Sequence, residues 1–132
     1  VLVTTPQEVA VADTRRAATM FRTLEVPLVG VVETMSGFQC PSCDALHPIF
    51  GEGGGEMLSQ HLQVPLLGRI PLEPALVAGG QSGRPLQATD PQAPSSQAFA
   101  EAAGALVRRL SVLEAASGDA LDAFELEWRH AG

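Results

Sequence analysis

Basic residues are scarce in this sequence. Its 132 residues include 8 Lys and Arg against 15 Asp and Glu, which gives a net charge of −7. Binding along the phosphate backbone of nucleic acids requires an excess of basic side chains, so this charge argues against a nucleic-acid-binding protein. No apolar run approaches the roughly 18 residues that cross a bilayer, and the first residues lack the basic leader of a signal peptide. We therefore expect a cytoplasmic protein that binds neither nucleic acid nor membrane.

Cysteine is also scarce, and the two that occur, Cys40 and Cys43, are separated by only two residues. Such a pair is a poor disulfide for a domain of this size, and in a reducing compartment it indicates metal binding or redox chemistry. Redox pairs of the thioredoxin type lie at the start of a helix, whereas Phe38 before the pair and Pro48 after it do not indicate one. Metal ligation by thiolates is favoured, and a structurally inert pair is the remaining alternative.

Apolar residues are abundant, at 45% of the sequence, while charged residues make up 17%, as is typical of a globular protein. Hydrophobic patterning predicts strands at residues 1–4, 28–32 and 66–70, and helices at residues 5–23, 56–62 and 95–113. In the first helix Thr5 and Glu8 are spaced as a capping box. Residues 34–55 are expected to be irregular and residues 71–94 to form an ordered loop. The alternation of three strands with helices predicts an α/β fold with a parallel sheet.

The two ends of the sequence bear on the domain organisation. Residues 1–4 read as a strand that opens in the middle of a sheet, so we expect a preceding part of the domain to be missing; an ordinary short first strand is the alternative. Residues 1–113 are interpreted as one domain, and residues 114–132 as an acidic tail. Within the tail, residues 124–129 alternate apolar and charged, as in an additional strand, although Leu121, Phe124 and Trp128 would also fit one side of a helix. The tail is therefore an extra strand or the start of an appended module.

Two thiolates do not complete a metal site, because a zinc ion or a cubane cluster usually takes four ligands. His47 could act as a third ligand, a further ligand could come from elsewhere in the chain, or a second copy could supply an identical pair. His61 lies on a predicted helix and is more typical of a solvated side chain. Since the sequence contains no other cysteine, a symmetric dimer that shares one cluster is the simplest solution.

A glycine-rich run, GEGGG at residues 51–55, precedes the second predicted helix. It lacks the lysine and the following serine or threonine of a phosphate-binding P-loop. The run is therefore interpreted as a turn that needs positive φ angles at the entrance to the helix.

Several spaced motifs together resemble the Mrp/ApbC family of iron–sulfur cluster carriers. The motifs are TTPQ at 4–7, GVVETMS at 30–36, CPSC at 40–43, IFGEGGG at 49–55, VPLLG at 64–68, and GG and GRP at 79–80 and 83–85. The resemblance covers residues 1–113. It implies the fold of P-loop NTPases related to ParA and MinD, of which this sequence would be the C-terminal portion.

The resemblance also implies a function. Members of the family form homodimers that hold a bridging [4Fe-4S] cluster on paired C-x-x-C motifs and transfer it to apo iron–sulfur proteins. Cys40 and Cys43 would be the cluster ligands. The intact proteins use ATP with Mg²⁺, but the Walker A segment is absent from these residues, so we do not expect this chain to hydrolyse ATP alone.

The resemblance places adenine recognition at three positions. Thr34 stands where the family usually has an asparagine that hydrogen-bonds the base, and threonine offers one hydroxyl in place of an amide's donor and acceptor. Pro71 and Leu72 match a loop close to the base, with ordinary turn formation as the alternative.

Two other functions compete with the cluster carrier. One is a structural zinc module in which the cysteines, with His47, brace a partner-binding loop. The other is a ParA/MinD-like positioning ATPase with an incidental cysteine pair, although the amphipathic membrane-binding tail expected of MinD-like proteins is not evident.

Overall fold

The computed structural model describes residues 1–40, 42–43 and 45–117. Its strands are β1 (Leu2–Thr4), β2 (Val31–Gln39), β3 (Leu46–His47) and β4 (Leu66–Leu72). Its helices are α1 (Glu8–Thr23), α2 (Gly54–Leu62), α3 (Pro74–Ser82), α4 (Leu86–Thr89) and α5 (Pro94–Ser117). The predicted α/β alternation of three parallel strands with helices is confirmed. Within the described residues no helix is both long enough and apolar enough to cross a membrane.

The sheet is organised around β2. Strand β1 pairs with it in parallel on one side and β4 in parallel on the other, with Val31 opposite both Leu2 and Leu66. Strand β3 pairs antiparallel with the last two residues of β2. Because β1, β2 and β4 run in the same direction, their carboxyl ends meet at one edge of the sheet.

Helices cover both faces of the sheet. Helices α1 and α2 pack against one face, where the buried side chains form the main core. This core comprises Leu2, Ala18, Val31, Leu58 and Leu62. Helix α5 packs against β4, and its Ala102 and Leu106 face Val32 and Ile70 across the other side of the sheet. Alternation along β2 therefore directs Val31 and Glu33 toward α1 and α2, and Val32 and Thr34 toward α5.

The second strand is longer than predicted and begins later. It was expected at residues 28–32, but β2 runs from Val31 to Gln39 and so enters the segment expected to be irregular. The apolar run ends at Val32, which is why the pattern gave no sign of this continuation. Backbone pairing with β4 nevertheless resumes after a break in register between Thr34 and Phe38.

The loop predicted at residues 71–94 is wrong, because it contains α3 and α4. Pro74 occupies the first turn of α3, where its fixed φ and missing N–H are tolerated. Helix α3 has no buried residue, so no apolar face indicated a helix there. Helix α5 extends the predicted helix of residues 95–113 to Ser117. The strand predicted at residues 124–129 lies outside the described residues.

The predicted capping box of the first helix is also wrong. Helix α1 begins at Glu8, and its N-cap residue Gln7 makes no side-chain capping bond. The Thr5 hydroxyl instead donates to the side-chain oxygen of Gln7, at 3.3 Å. The chain thus turns between β1 and α1 without the expected reciprocal hydrogen bonds.

Candidate functional site

Both cysteines lie at the tip of a β-hairpin. Strands β2 and β3 pair antiparallel, with Phe38 opposite His47 and Gln39 opposite Leu46. The Cys40 amide donates to the Ala45 carbonyl at 3.0 Å, which extends this ladder by one step. Cys40 therefore follows the last residue of β2, and Cys43 lies in the turn that closes the hairpin.

The tip of the hairpin is accessible. Cys43 is exposed, Cys40 is half-buried, and the two do not form a disulfide. Two apolar side chains on the returning strand and just after it are also exposed, Leu46 at 57% and Ile49 at 59%. The arrangement can present two thiolates at the protein surface, where a large partner can approach them.

The described residues do not provide further ligands for a metal ion. Among them, no group of three or more His, Cys, Asp or Glu side chains is placed to hold a metal. His47 lies in β3 and His61 on the exposed side of α2, while His130 lies outside the described residues. Among the described residues, His47 is therefore not placed to complete a three-ligand site with the two cysteines.

A buried carboxylate lies beneath the hairpin. Glu33 in β2 is 1% exposed. Its Oε2 accepts a hydrogen bond from the Gly55 amide at 2.5 Å, and its Oε1 accepts one from the Ser36 hydroxyl at 2.6 Å. Arg69 Nε of β4 lies 3.7 Å from the same Oε1. No role was predicted for this residue from the sequence; its signal was a single acidic residue directly following the apolar run at residues 28–32.

Arg69 extends this network to the surface. Its Nη2 lies 2.7 Å from Glu56 Oε2 in the first turn of α2. Between Glu33, Arg69 and the hairpin residues Leu46 and Pro48 there is a cavity of about 370 Å³. The base of the hairpin is thus polar, whereas the core on the same face of the sheet is apolar.

The glycine-rich run before α2 is a turn with positive φ angles, as predicted. Gly51 has a φ of 87° and Gly53, the N-cap of α2, a φ of 78°. Gly55 is required for a different reason, since a Cβ there would lie 2.8 Å from the Cβ of Glu33. The run therefore allows α2 to start in contact with β2.

Residues predicted to contact adenine meet at the carboxyl edge of the sheet. Thr34 is opposite Ile70 in the neighbouring strand, and Pro71 and Leu72 follow at the end of β4. Thr34 is half-buried and lines a cavity of about 330 Å³ beneath α5. It is the one residue with a polar side chain among those lining this cavity. The structure brings the three residues close together, and their role in binding a nucleotide stays a prediction.

The family and the two relatives described next, all similar to this chain, are named for the transfer of iron or the assembly of iron–sulfur clusters. The family described as ParA, NUBPL iron-transfer P-loop NTPase, matches residues 1–107. The iron-sulfur cluster carrier protein of Methanococcus maripaludis is 42% identical over 110 residues, covering 83% of this chain and 37% of that protein. The cytosolic Fe-S cluster assembly factor NUBP2 homolog of Trichoplax adhaerens is 44% identical over 101 residues, covering 76% and 38%. The chain thus spans less than two fifths of the length of each relative.

Solved structures show the same fold. The MinD cell division protein of Aquifex aeolicus superposes with a TM-score of 0.60 at 24% identity, covering 83% of this chain and 42% of that one. At this identity the likeness concerns the fold alone. It confirms that the α/β arrangement is that of the MinD-like proteins.

Proposed function

The chain belongs to the family of NUBPL iron-transfer P-loop NTPases, and we propose that it carries the cluster-binding site of an iron–sulfur cluster carrier. Cys40 and Cys43 are the proposed ligands. The observation that carries the proposal is their position at the exposed tip of a hairpin, where two thiolates can hold a cluster and release it to another protein. Relatives named as cluster carriers and assembly factors support the same assignment.

The cluster is proposed to bridge two copies of the chain. A [4Fe-4S] cluster takes four cysteine ligands, and each chain contains two cysteines. A two-fold axis through the cluster would supply identical pairs from two hairpins. The proposed carrier is therefore a homodimer that is completed by the cluster itself.

Transfer to an apo iron–sulfur protein is proposed to be a ligand exchange. A thiolate of the recipient forms a bond to an iron atom as the thiolate of Cys43 or Cys40 leaves with its electron pair and takes up a proton. No electron passes between the two proteins. Cys43 is the more exposed of the two, so we expect it to be displaced first.

Nucleotide is proposed to control this cycle in the intact protein. ATP with Mg²⁺ would bind at the carboxyl edge of the sheet, with Thr34, Pro71 and Leu72 near the adenine, as ligands of open α/β sheets do. A nucleotide that binds one dimer arrangement more tightly than another shifts the population between holding and releasing states. We place this activity in the cytoplasm, as the name of the Trichoplax adhaerens relative says of that protein.

Anaerobic reconstitution with iron and sulfide tests the cluster site. We expect the chain to turn brown, to bind about four iron and four sulfide per two chains, and to elute as a dimer. Cys40→Ala and Cys43→Ala should each remain colourless and monomeric. Ser42→Ala is the matched control, because it changes the same exposed turn and leaves both thiols in place.

Two results would overturn the proposal. A colourless chain that carries stoichiometric zinc would indicate the structural zinc module. One complete cluster bound by a monomer would show that ligands other than a second cysteine pair complete the site.

A further inference from the structure

The segment between Ser36 and Gly55 contains the end of β2, carries both cysteines on the hairpin and returns to start α2. Both of its ends are hydrogen-bonded to the carboxylate of Glu33. We infer that Glu33 is a positioning residue, which fixes the direction of the cysteine hairpin by fastening its outgoing and returning ends together.

At the outgoing end, Glu33 stabilises a bend in β2. Met35 has a φ of 55° and Gly37 a φ of 92°, and the register with β4 breaks at this point. A non-glycine residue with positive φ is held in such a conformation only when its surroundings favour it. The bond from the Ser36 hydroxyl to Glu33 spans Met35, so the carboxylate holds the bend that precedes the hairpin.

At the returning end, Glu33 binds the start of α2. Gly55 is the second residue of this helix, and amides in the first turn of a helix have no acceptor within the helix. The negative carboxylate satisfies this amide and also interacts favourably with the helix dipole. The absence of a Cβ at Gly55 lets the two groups meet.

Burial makes these contacts stronger than their counterparts on the surface. At 1% exposure, Glu33 cannot exchange its partners for water, and an ionised group so placed must be hydrogen-bonded. Arg69 offsets its charge from the neighbouring strand β4 at 3.7 Å. Three elements, β2, α2 and β4, therefore converge on one side chain.

The returning strand of the hairpin is short. Strand β3 is two residues long, and both of them are exposed. Four thiolates that bind one cluster must meet in a fixed geometry, so the direction of each hairpin decides whether the two pairs meet. The effect of hairpin direction on cluster binding rests on the proposed function, whereas the fastening of the hairpin by Glu33 does not.

Hydrogen exchange of the protein without a cluster tests whether Glu33 holds the two ends of the hairpin segment together. We expect the Cys40 amide, bonded to Ala45, to exchange about tenfold faster in Glu33→Ala, the size expected when a charge-assisted hydrogen bond is lost. Ser36→Ala, which cuts only the outgoing end, should give a smaller acceleration at the same amide. Glu33→Gln should largely restore protection, because its amide oxygen can accept from Gly55 and its NH₂ can donate to the Ser36 oxygen.

Val31→Ala is the matched control. Val31 is a fully buried residue of the same strand, and its truncation weakens the core without touching either end of the hairpin segment. It should accelerate exchange of core amides and leave exchange of the Cys40 amide unchanged, so the ratio of hairpin to core rates should fall. If Glu33→Ala and Val31→Ala give the same ratio, Glu33 is an ordinary core residue and the inference is wrong. If Glu33→Ala does not fold, the comparison of Ser36→Ala with Val31→Ala decides.

Reconstituted protein gives the second measurement. Decay of the visible absorption in the presence of an iron chelator should be about tenfold faster in Glu33→Ala than in Val31→Ala, the lower end of the effect usual for residues that orient metal ligands. Equal decay would show that hairpin direction does not matter to the cluster. A wild-type chain that binds no cluster would refute the proposed function, while the exchange measurements would still judge the fastening.

Discussion

The cysteine hairpin and the core beneath it are held by different kinds of interaction. In the core, Val31 and Leu58 are at most 1% exposed and are held by apolar packing. In the hairpin, Leu46 and Ile49 are more than half exposed, and a short ladder and the hydrogen bonds of Glu33 contribute to holding the segment. Loss of packing and loss of the hairpin should therefore be separable events.

This contrast supports the proposed role as a cluster carrier. Segments with few buried contacts open locally at a lower free energy than the core, without unfolding of the whole domain. A cluster held on such a segment can be reached by a recipient while the sheet stays intact. The core then provides a fixed platform, and the polar base of the hairpin decides how firmly the two cysteines are presented.

Removal of a thiol should have the largest effect on function and almost none on stability. Cys43→Ala is expected to abolish cluster binding and to change the free energy of unfolding by less than about 0.5 kcal/mol, as for other exposed positions. Iron content and urea denaturation of the apo-protein measure the two quantities. A large loss of stability in the apo-protein would mean that the hairpin is part of the folding core.

Truncation in the core should have the opposite result. Leu58 is 1% exposed, so Leu58→Ala is expected to cost about 2–5 kcal/mol through lost burial and the cavity left behind. The rate at which a maleimide modifies Cys43 under native conditions should not change. Leu46→Ala, at 57% exposure, is the control and should leave the free energy of unfolding within about 0.5 kcal/mol of wild type. Faster modification in Leu58→Ala at temperatures where the domain stays folded would show that the hairpin and core are coupled.

A methyl group at Gly55, where α2 approaches β2, should lower the stability of the fold. In Gly55→Ala the new Cβ would lie 2.8 Å from the Cβ of Glu33, so α2 must shift, at a cost of about 1–3 kcal/mol for overpacking. Gly80→Ala adds the same methyl within α3 where no atom lies within 4 Å, and should be neutral or stabilising by up to about 1 kcal/mol. Thermal denaturation compares the two. Equal melting temperatures would mean that the close approach of α2 to β2 is not needed.

The same contrast explains what the sequence could predict. The parallel strands and the long last helix follow from apolar runs and helical spacing, so their presence was predicted with errors only at their ends. The spacing of Cys40 and Cys43 identified them as candidate ligands. That they lie on a hairpin could not be predicted, because the polar stretch after Val32 pairs through its backbone, and its side chains give no alternating pattern.

Glu33 was missed for a related reason. With the strand predicted to end at Val32, a carboxylate at the next position belonged to an irregular segment, where it would ordinarily be solvated. Its burial depends on Gly55, 22 residues later, and on Arg69 in another strand. Contacts between residues so far apart in the sequence leave no local signal. A glycine-rich turn does not indicate which distant side chain will pack against its glycines.

The smallest expected effect concerns the outer part of the Arg69 network. Arg69 and Glu56 form an ion pair at 2.7 Å, but their side chains are 48% and 50% exposed, so solvent screens the attraction. Glu56→Gln keeps the length of the side chain and removes its charge, and should cost less than about 1 kcal/mol in urea denaturation at low salt, and less still at high salt. Hydrogen exchange of the Cys40 amide should stay at the wild-type rate, since both bonds of Glu33 to the hairpin ends remain. A hairpin that opened faster in this variant would show that Arg69 needs its surface partner to keep Glu33 in place, and the polar base would then extend to the surface of the protein.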